Sequence, residues 1–242
     1  MARILTLLTY DVRSIQKDLM TMISILAPIL MALSFRFIMP ILNDVFFEGT
    51  TFTSSDQNLV VGLLLLLTTP VMIGMVGGFM LLDEKDDGIA MSIAITPFQL
   101  KGYLLYRLSL PMFISLLLTL PVLLIGGFTE IMTLSLLPFL LLILVETPII
   151  ALLMASIAEN KVEGLAVGKV ISIMLALPIA IYFIDHPAMI MTGILPPFWP
   201  LKGYFLTMDG WQRSDFVFLL AGILYHLLML YYLLKKYERT IQ

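Results

Sequence analysis

Glu146 is the residue whose setting most demands a chemical explanation. It stands between Pro138 and Pro148 in a stretch, 132–158, that carries no other charge. If that stretch crosses a bilayer, an ionisable group near its middle costs about 2.5–3.5 kcal/mol on insertion scales, which makes it a functional candidate by default. Two chemistries fit. Glu146 lines a polar pathway, or it accepts hydrogen bonds from Ser, Thr or backbone groups freed by the prolines. Arg36 is a further charge inside an apolar stretch. It can snorkel outward along its stem, or pair with Glu146 or with the acids of the 41–58 connection.

A second cluster reads Asp83-Glu84-Lys85-Asp86-Asp87-Gly88, followed by an apolar run over 89–95 and then Thr96-Pro97. Ile89 and Ile93 are four apart, as are Met91 and Ile95, which is helical spacing. Acids ahead of such a run suit a helix N-terminus. Thr96, Pro97 and Gln99 form a capping box with proline at the first helical position, so the next helix starts there. The expectation is a short helix joined by a tight corner to a longer one. Isoleucines exposed at such a corner dip into the membrane interface or dock on another protein.

The chain lacks the parts of familiar catalytic sites. It has no G-x-x-x-x-G-K-[ST] phosphate loop, no H-E-x-x-H and no G-x-S-x-G. Its two histidines, His186 and His226, lie on no motif, and it has no cysteine, which excludes disulfides and thiolate chemistry. No cleavable leader is apparent.

The elements that must position these residues are membrane spans. Hydrophobic residues make up 60% of the chain, charged residues 13%, and mean hydropathy is +1.02, against about 25% charged in soluble domains. A helix needs about 20 apolar residues to cross a bilayer core. Six stretches qualify: 19–40, 59–82, 103–128, 132–158, 165–184 and 216–234. Basic residues mark the cytoplasmic side. Arg3, Arg13, Lys17, Lys85, Lys101, Arg107, Lys161, Lys169, Lys235, Lys236 and Arg239 fall on one side of this arrangement and only Lys202 and Arg213 on the other. Both termini are therefore expected in the cytoplasm, on a single membrane domain over 1–242 with no soluble domain. Before the first span, Ile4, Leu8, Val12, Ile15 and Leu19 recur at helical spacing opposite Arg3, Arg13 and Lys17. This is a basic amphipathic helix of the interface, serving as an anchor or as a partner contact. Gly74 with Gly78, and Ala151 with Ala155, permit close helix packing. The outer connection 185–215 is long and aromatic, with Pro196-Pro197-Phe198-Trp199-Pro200 at its centre. It reads as a re-entrant or interfacial structure, or as an aromatic belt at the membrane surface.

Taken together, Glu84-Lys85-Asp86-Asp87-Gly88 through Thr96-Pro97, and Leu195-Pro196-Pro197-Phe198-Trp199-Pro200 before Gly203-Tyr204, resemble the signatures of type 2 ABC exporter permeases, most of all bacterial permeases described as fluoroquinolone exporters. Ala90-Met91 departs from the Leu-Glu often found after the glycine. The resemblance spans essentially the whole chain. It implies an all-α integral membrane fold of six helices in the bacterial plasma membrane, with a cytoplasmic coupling helix between spans two and three and a re-entrant outer segment between spans five and six. It implies that Glu84, Lys85, Asp86, Asp87 and Gly88 start the coupling element, while Ile89, Ile93, Thr96 and Pro97 carry its contact and corner. It implies no cofactor in this chain. ATP and Mg would be bound by a separate ATPase subunit, and a second permease copy or paralogue would complete the transporter, with the lipid bilayer as surroundings and no nucleic acid as partner. The cargo would be an apolar or amphipathic small molecule. Two other classes fit the residues alone. One is a secondary transporter with Glu146 as a proton site, for which an inverted repeat is expected and none is visible. The other is a non-transporting membrane assembly protein.

Overall fold

The structure, a computed structural model, describes residues 19–42, 54–94, 99–129, 132, 134–179, 184, 186–207 and 210–241. The amphipathic stretch before the first span, most of the 41–58 connection, and the Thr96-Pro97 corner lie outside them. Among the described residues the fold is helical, with no strand. Its helices are α1 (Leu19–Leu42), α2 (Ser54–Asp86), α3 (Ile89–Ala94), α4 (Gln99–Gly126), α5 (Leu137–Ile157), α6 (Lys161–Ile179), α7 (Phe198–Thr207) and α8 (Arg213–Ile241). Five of them, α1, α2, α4, α5 and α8, are long and apolar enough to cross a membrane. The helix α6 occupies the place of the expected 165–184 span and is not among the five.

Local chemistry sets the ends. Pro138 falls in the first turn of α5, where its missing N–H is not needed, so the helix starts after a 3-10 turn at Leu134–Leu136 rather than at 132. Gly127, at φ +85°, ends α4. Its N–H donates to the Leu124 carbonyl and that of Phe128 to the Leu123 carbonyl, a closure only a left-handed residue permits. Asn160 starts α6 by accepting from the amides of Val162 and Glu163, and Glu163 reaches back to the amide of Glu159.

The helices α2 and α5 form the central pair, with α1, α4, α6 and α8 around them. They meet through small residues: a Cβ on Gly74 would lie 2.7 Å from the Thr147 carbonyl oxygen, and one on Gly78 would lie 3.0 Å from Met154 Cβ. The close packing expected of Gly74, Gly78 and Ala151 is thus realised between these two helices. Leu65, Leu67, Ile149 and Leu152 fill the core around that seam. By contrast, α8 buries one stripe, with Gly222, His226, Leu233 and Tyr237 along it, and leaves Phe216, Leu220, Leu224, Leu227 and Leu228 on its outside. In water such a face would be untenable, whereas lipid covers it at no cost.

Candidate functional site

The acidic cluster is built differently from its sequence pattern. The helix α2 runs on to Asp86, so Asp83, Glu84, Lys85 and Asp86 are its last turn rather than the start of the short helix. The turn follows at Asp87-Gly88, with Gly88 at φ +69°, and α3 begins at Ile89. Acids at a helix C-terminus face the negative end of the dipole, and cations and hydroxyls from three other helices compensate. Arg107 on α4 forms an ion pair with Glu84, its Nε donating to Oε2 at 2.8 Å, and the Tyr103 hydroxyl donates to the same oxygen. Lys161 at the start of α6 meets Asp83 at 2.8 Å. Tyr237 on α8 donates to the Leu81 carbonyl. The Asp83–Lys161 pair is half exposed and contributes little. The Glu84–Arg107 pair is nearly enclosed, and breaking it would strand a charge.

This anchored end carries α3. Its Ala90 is buried and its Ile93 packs against the core. Ile89 and Met91 point outward at 37% and 61% exposure, next to the exposed Asp86 and Asp87. The outward apolar pair is therefore Ile89 with Met91, whereas the spacing alone pairs Ile89 with Ile93. Glu84 faces inward and Lys85 is half-buried.

Glu146 lies in α5, fully buried, and neither carboxyl oxygen has a hydrogen-bond partner in the structure. Arg36 does not approach it. Arg36 is exposed and donates from Nη1 to the Ile125 carbonyl at 2.9 Å, capping the end of α4. Its charge suits that C-terminus.

In the 185–215 connection, a 3-10 helix (Pro187–Ile194) and a turn at Leu195–Pro197 lead into α7, so Pro196 and Pro197 form the turn and Phe198, Trp199 and Pro200 the first turn of a helix. These residues are buried, except for a half-buried Trp199. Trp199 donates to the Gly193 carbonyl and packs against Phe218 and Tyr225 of α8. A cavity of about 600 Å³ opens on another side of the bundle, between α4 and α8. Leu104, Leu108, Met112, Leu230 and Leu234 wall it, Pro148 lines it, and Lys101 and Lys235 stand in its wall.

The described residues form a long apolar helix bundle with a fully buried Glu146, a tied-down end and a short outward-facing helix. The model of the Rv2686c-like family, described as fluoroquinolones export permease protein, matches residues 11–234. The chain belongs to this family. Fluoroquinolones export permease proteins of two Mycobacterium tuberculosis strains are each 24% identical to it over 231 residues, covering 94% of this chain and 91% of theirs. No solved structure matches it. The permease is thus a transmembrane protein of an export family.

Three residues of the permease escaped sequence reasoning. Tyr103 and Arg107 are four apart at the start of α4, a spacing that puts both on one face toward Glu84. His226 belongs to the buried stripe of α8, four residues after Gly222, and that stripe is the signal that could have found it.

Proposed function

We propose that this chain is the membrane half of an ATP-driven exporter, in which α3 couples a separate ATPase subunit to the bundle. The observation that carries this reading is the outward-facing Ile89 and Met91 on a six-residue helix whose base, the end of α2, is tied to α4, α6 and α8. A push on α3 is transmitted through Gly88 to the end of α2. From there the Glu84–Arg107 pair, Tyr103, Lys161 and Tyr237 distribute it to α4, α6 and α8. Asp86 and Asp87 flank the contact with charge, and Lys85, Ile93, Thr96 and Pro97 complete the element and its corner. ATP and Mg belong to the partner. Support for export comes from family membership and from the name its relatives carry.

The same reading has six spans, with α6 in the fifth, both termini in the cytoplasm, the 196–200 segment capping the outer half, and one membrane domain over 1–242. A second copy or paralogue completes the pathway. The cargo is an apolar or amphipathic small molecule, for which the walls between α4 and α8 offer a matching surface and methionines such as Met112 an adaptable one. The test is co-purification, asking whether an ATPase subunit comes with the chain. Ile89→Asp with Met91→Asp should leave the chain inserted and detach the ATPase, because each aspartate would be desolvated without a partner. A double variant that still brings down the ATPase and exports normally would place the docking surface elsewhere.

A further inference from the structure

The groove between α4 and α8 changes character along its length. At one end stand Lys101, in the first turn of α4, and Lys235 and Glu238, in the last two turns of α8. Lys235 Nζ reaches Glu238 Oε2 at 3.2 Å, and Lys101 is exposed. Two ammoniums and one carboxylate leave this mouth with a net positive charge. Leu104, Leu105, Leu108 and Leu234 follow, and Met112, Pro148 and Leu230 line the far end. Beyond the mouth the lining carries no charged side chain, and the Ser109 hydroxyl is turned to the Tyr106 carbonyl of its own helix.

Other contacts fix which end is deep. Near the mouth, Tyr237 of α8 donates to the Leu81 carbonyl, just before the acids that end α2. At the far end, Pro111 of α4 lies against the middle of α2, where a Cβ on Gly77 would stand 3.0 Å from Pro111 Cγ. The groove therefore runs from the charged end of the bundle toward its interior. From Lys101 to Met112 that is about 16 Å of helix. Leu105 and Tyr231 at its edges are 75% and 63% exposed, so it opens sideways, which for helices this apolar means toward lipid.

A free phosphate would occupy the mouth and leave the leucine wall empty. An uncharged chain would fill the wall and leave the ammoniums without a counter-charge. A phospholipid with a net negative head group does both, and basic pockets between membrane helices hold such head groups. We propose that this groove seats one anionic phospholipid, its phosphate held by Lys101 and Lys235 and an acyl chain laid along Leu104, Leu108 and Leu234 toward Met112. An apolar cargo would share these walls, so lipid and cargo exclude each other there. The seat itself is independent of whether α3 meets an ATPase.

Photolabelling of the full chain in nanodiscs tests both place and head group. The probes are phosphatidylglycerol with a diazirine in its acyl chain and the matching phosphatidylcholine. Phosphatidylglycerol should label 104–112 of α4 and 230–234 of α8, and should do so several-fold more than phosphatidylcholine, since a basic residue at an anionic lipid contributes about a factor of five. Lys101→Gln with Lys235→Gln should abolish that preference. Lys236→Gln with Arg239→Gln removes as much charge from the same end of α8 but outside the groove, and should keep it. Equal labelling by the two lipids overturns the proposal, and so does labelling confined to other helices, the result expected if a second copy of the chain closes the groove. These two outcomes need only the unaltered chain. A preference that survives the first double variant, or is lost equally in both, overturns it as well, because the attraction would then belong to the surface at large.

Discussion

Glu84 shows how far a residue's role depends on its partner. Its carboxylate closes the unfavourable end of α2, and Arg107 and Tyr103 make that tolerable. Removing the arginine alone leaves a nearly enclosed carboxylate uncompensated. Arg107→Leu should therefore lower stability by about 3–5 kcal/mol, whereas replacing both partners with apolar residues should recover much of the loss. Thermal unfolding of Arg107→Leu, Glu84→Leu and the double variant in detergent checks this. A double variant less stable than Arg107→Leu would mean that the pair itself, beyond mere neutralisation, holds α2 to α4. Arg36 obeys the same logic at lower stakes, since it caps α4 from an exposed position.

At the scale of elements, the seam between α2 and α5 is where an added methyl meets backbone. At Gly74 an added methyl meets a backbone carbonyl at 2.7 Å, which cannot move without shifting α5. At Gly168 it meets the terminal methyl of Met75 at 2.8 Å, the far end of a flexible side chain. Gly74→Ala should therefore cost about 1–3 kcal/mol as an overpacked contact, and Gly168→Ala should be close to neutral. The two substitutions are chemically the same, so equal unfolding midpoints would show that the seam relaxes as easily as a methionine. Gly203 is tighter still, because a Cβ there would overlap Phe139, whose ring stacks on Trp211. That contact fixes α7 against α5 and gives the proline-aromatic segment its place.

For the whole molecule, the distribution of lysine and arginine predicts both termini and α3 on one side of the membrane. The chain has no cysteine, so each introduced one is a unique label. Cysteines at Ser54 and Gly210 should react with an impermeant maleimide in intact cells, and cysteines at Ser92 and Thr240 should react only after permeabilisation. Labelling at Ser92 from outside would overturn the six-span arrangement and with it the coupling role of α3.

Five of the six expected apolar spans, the short helix after Gly88 and the isolation of Glu146 were legible in the sequence, because each rests on local quantities: the run of apolar residues a bilayer requires, helical spacing, and the cost of a lone charge. Element ends were less legible. The chain passes from α2 to α3 only at Asp87-Gly88, since distant partners on α4, α6 and α8 let the helix run through its acids. Which isoleucine faces outward could not be read from spacing, because Ile89 and Ile93 share a ridge that tilts into the core at one end. Above all, only the tertiary structure decided what surrounds the charges. Arg36 goes to a backbone carbonyl 89 residues away and Arg107 meets Glu84 across 23 residues. Glu146 is enclosed in α5, where Leu142, one turn before it, packs on Gly222 of α8. Residue type dictates what a polar group needs inside a membrane, and helix packing dictates which group can supply it.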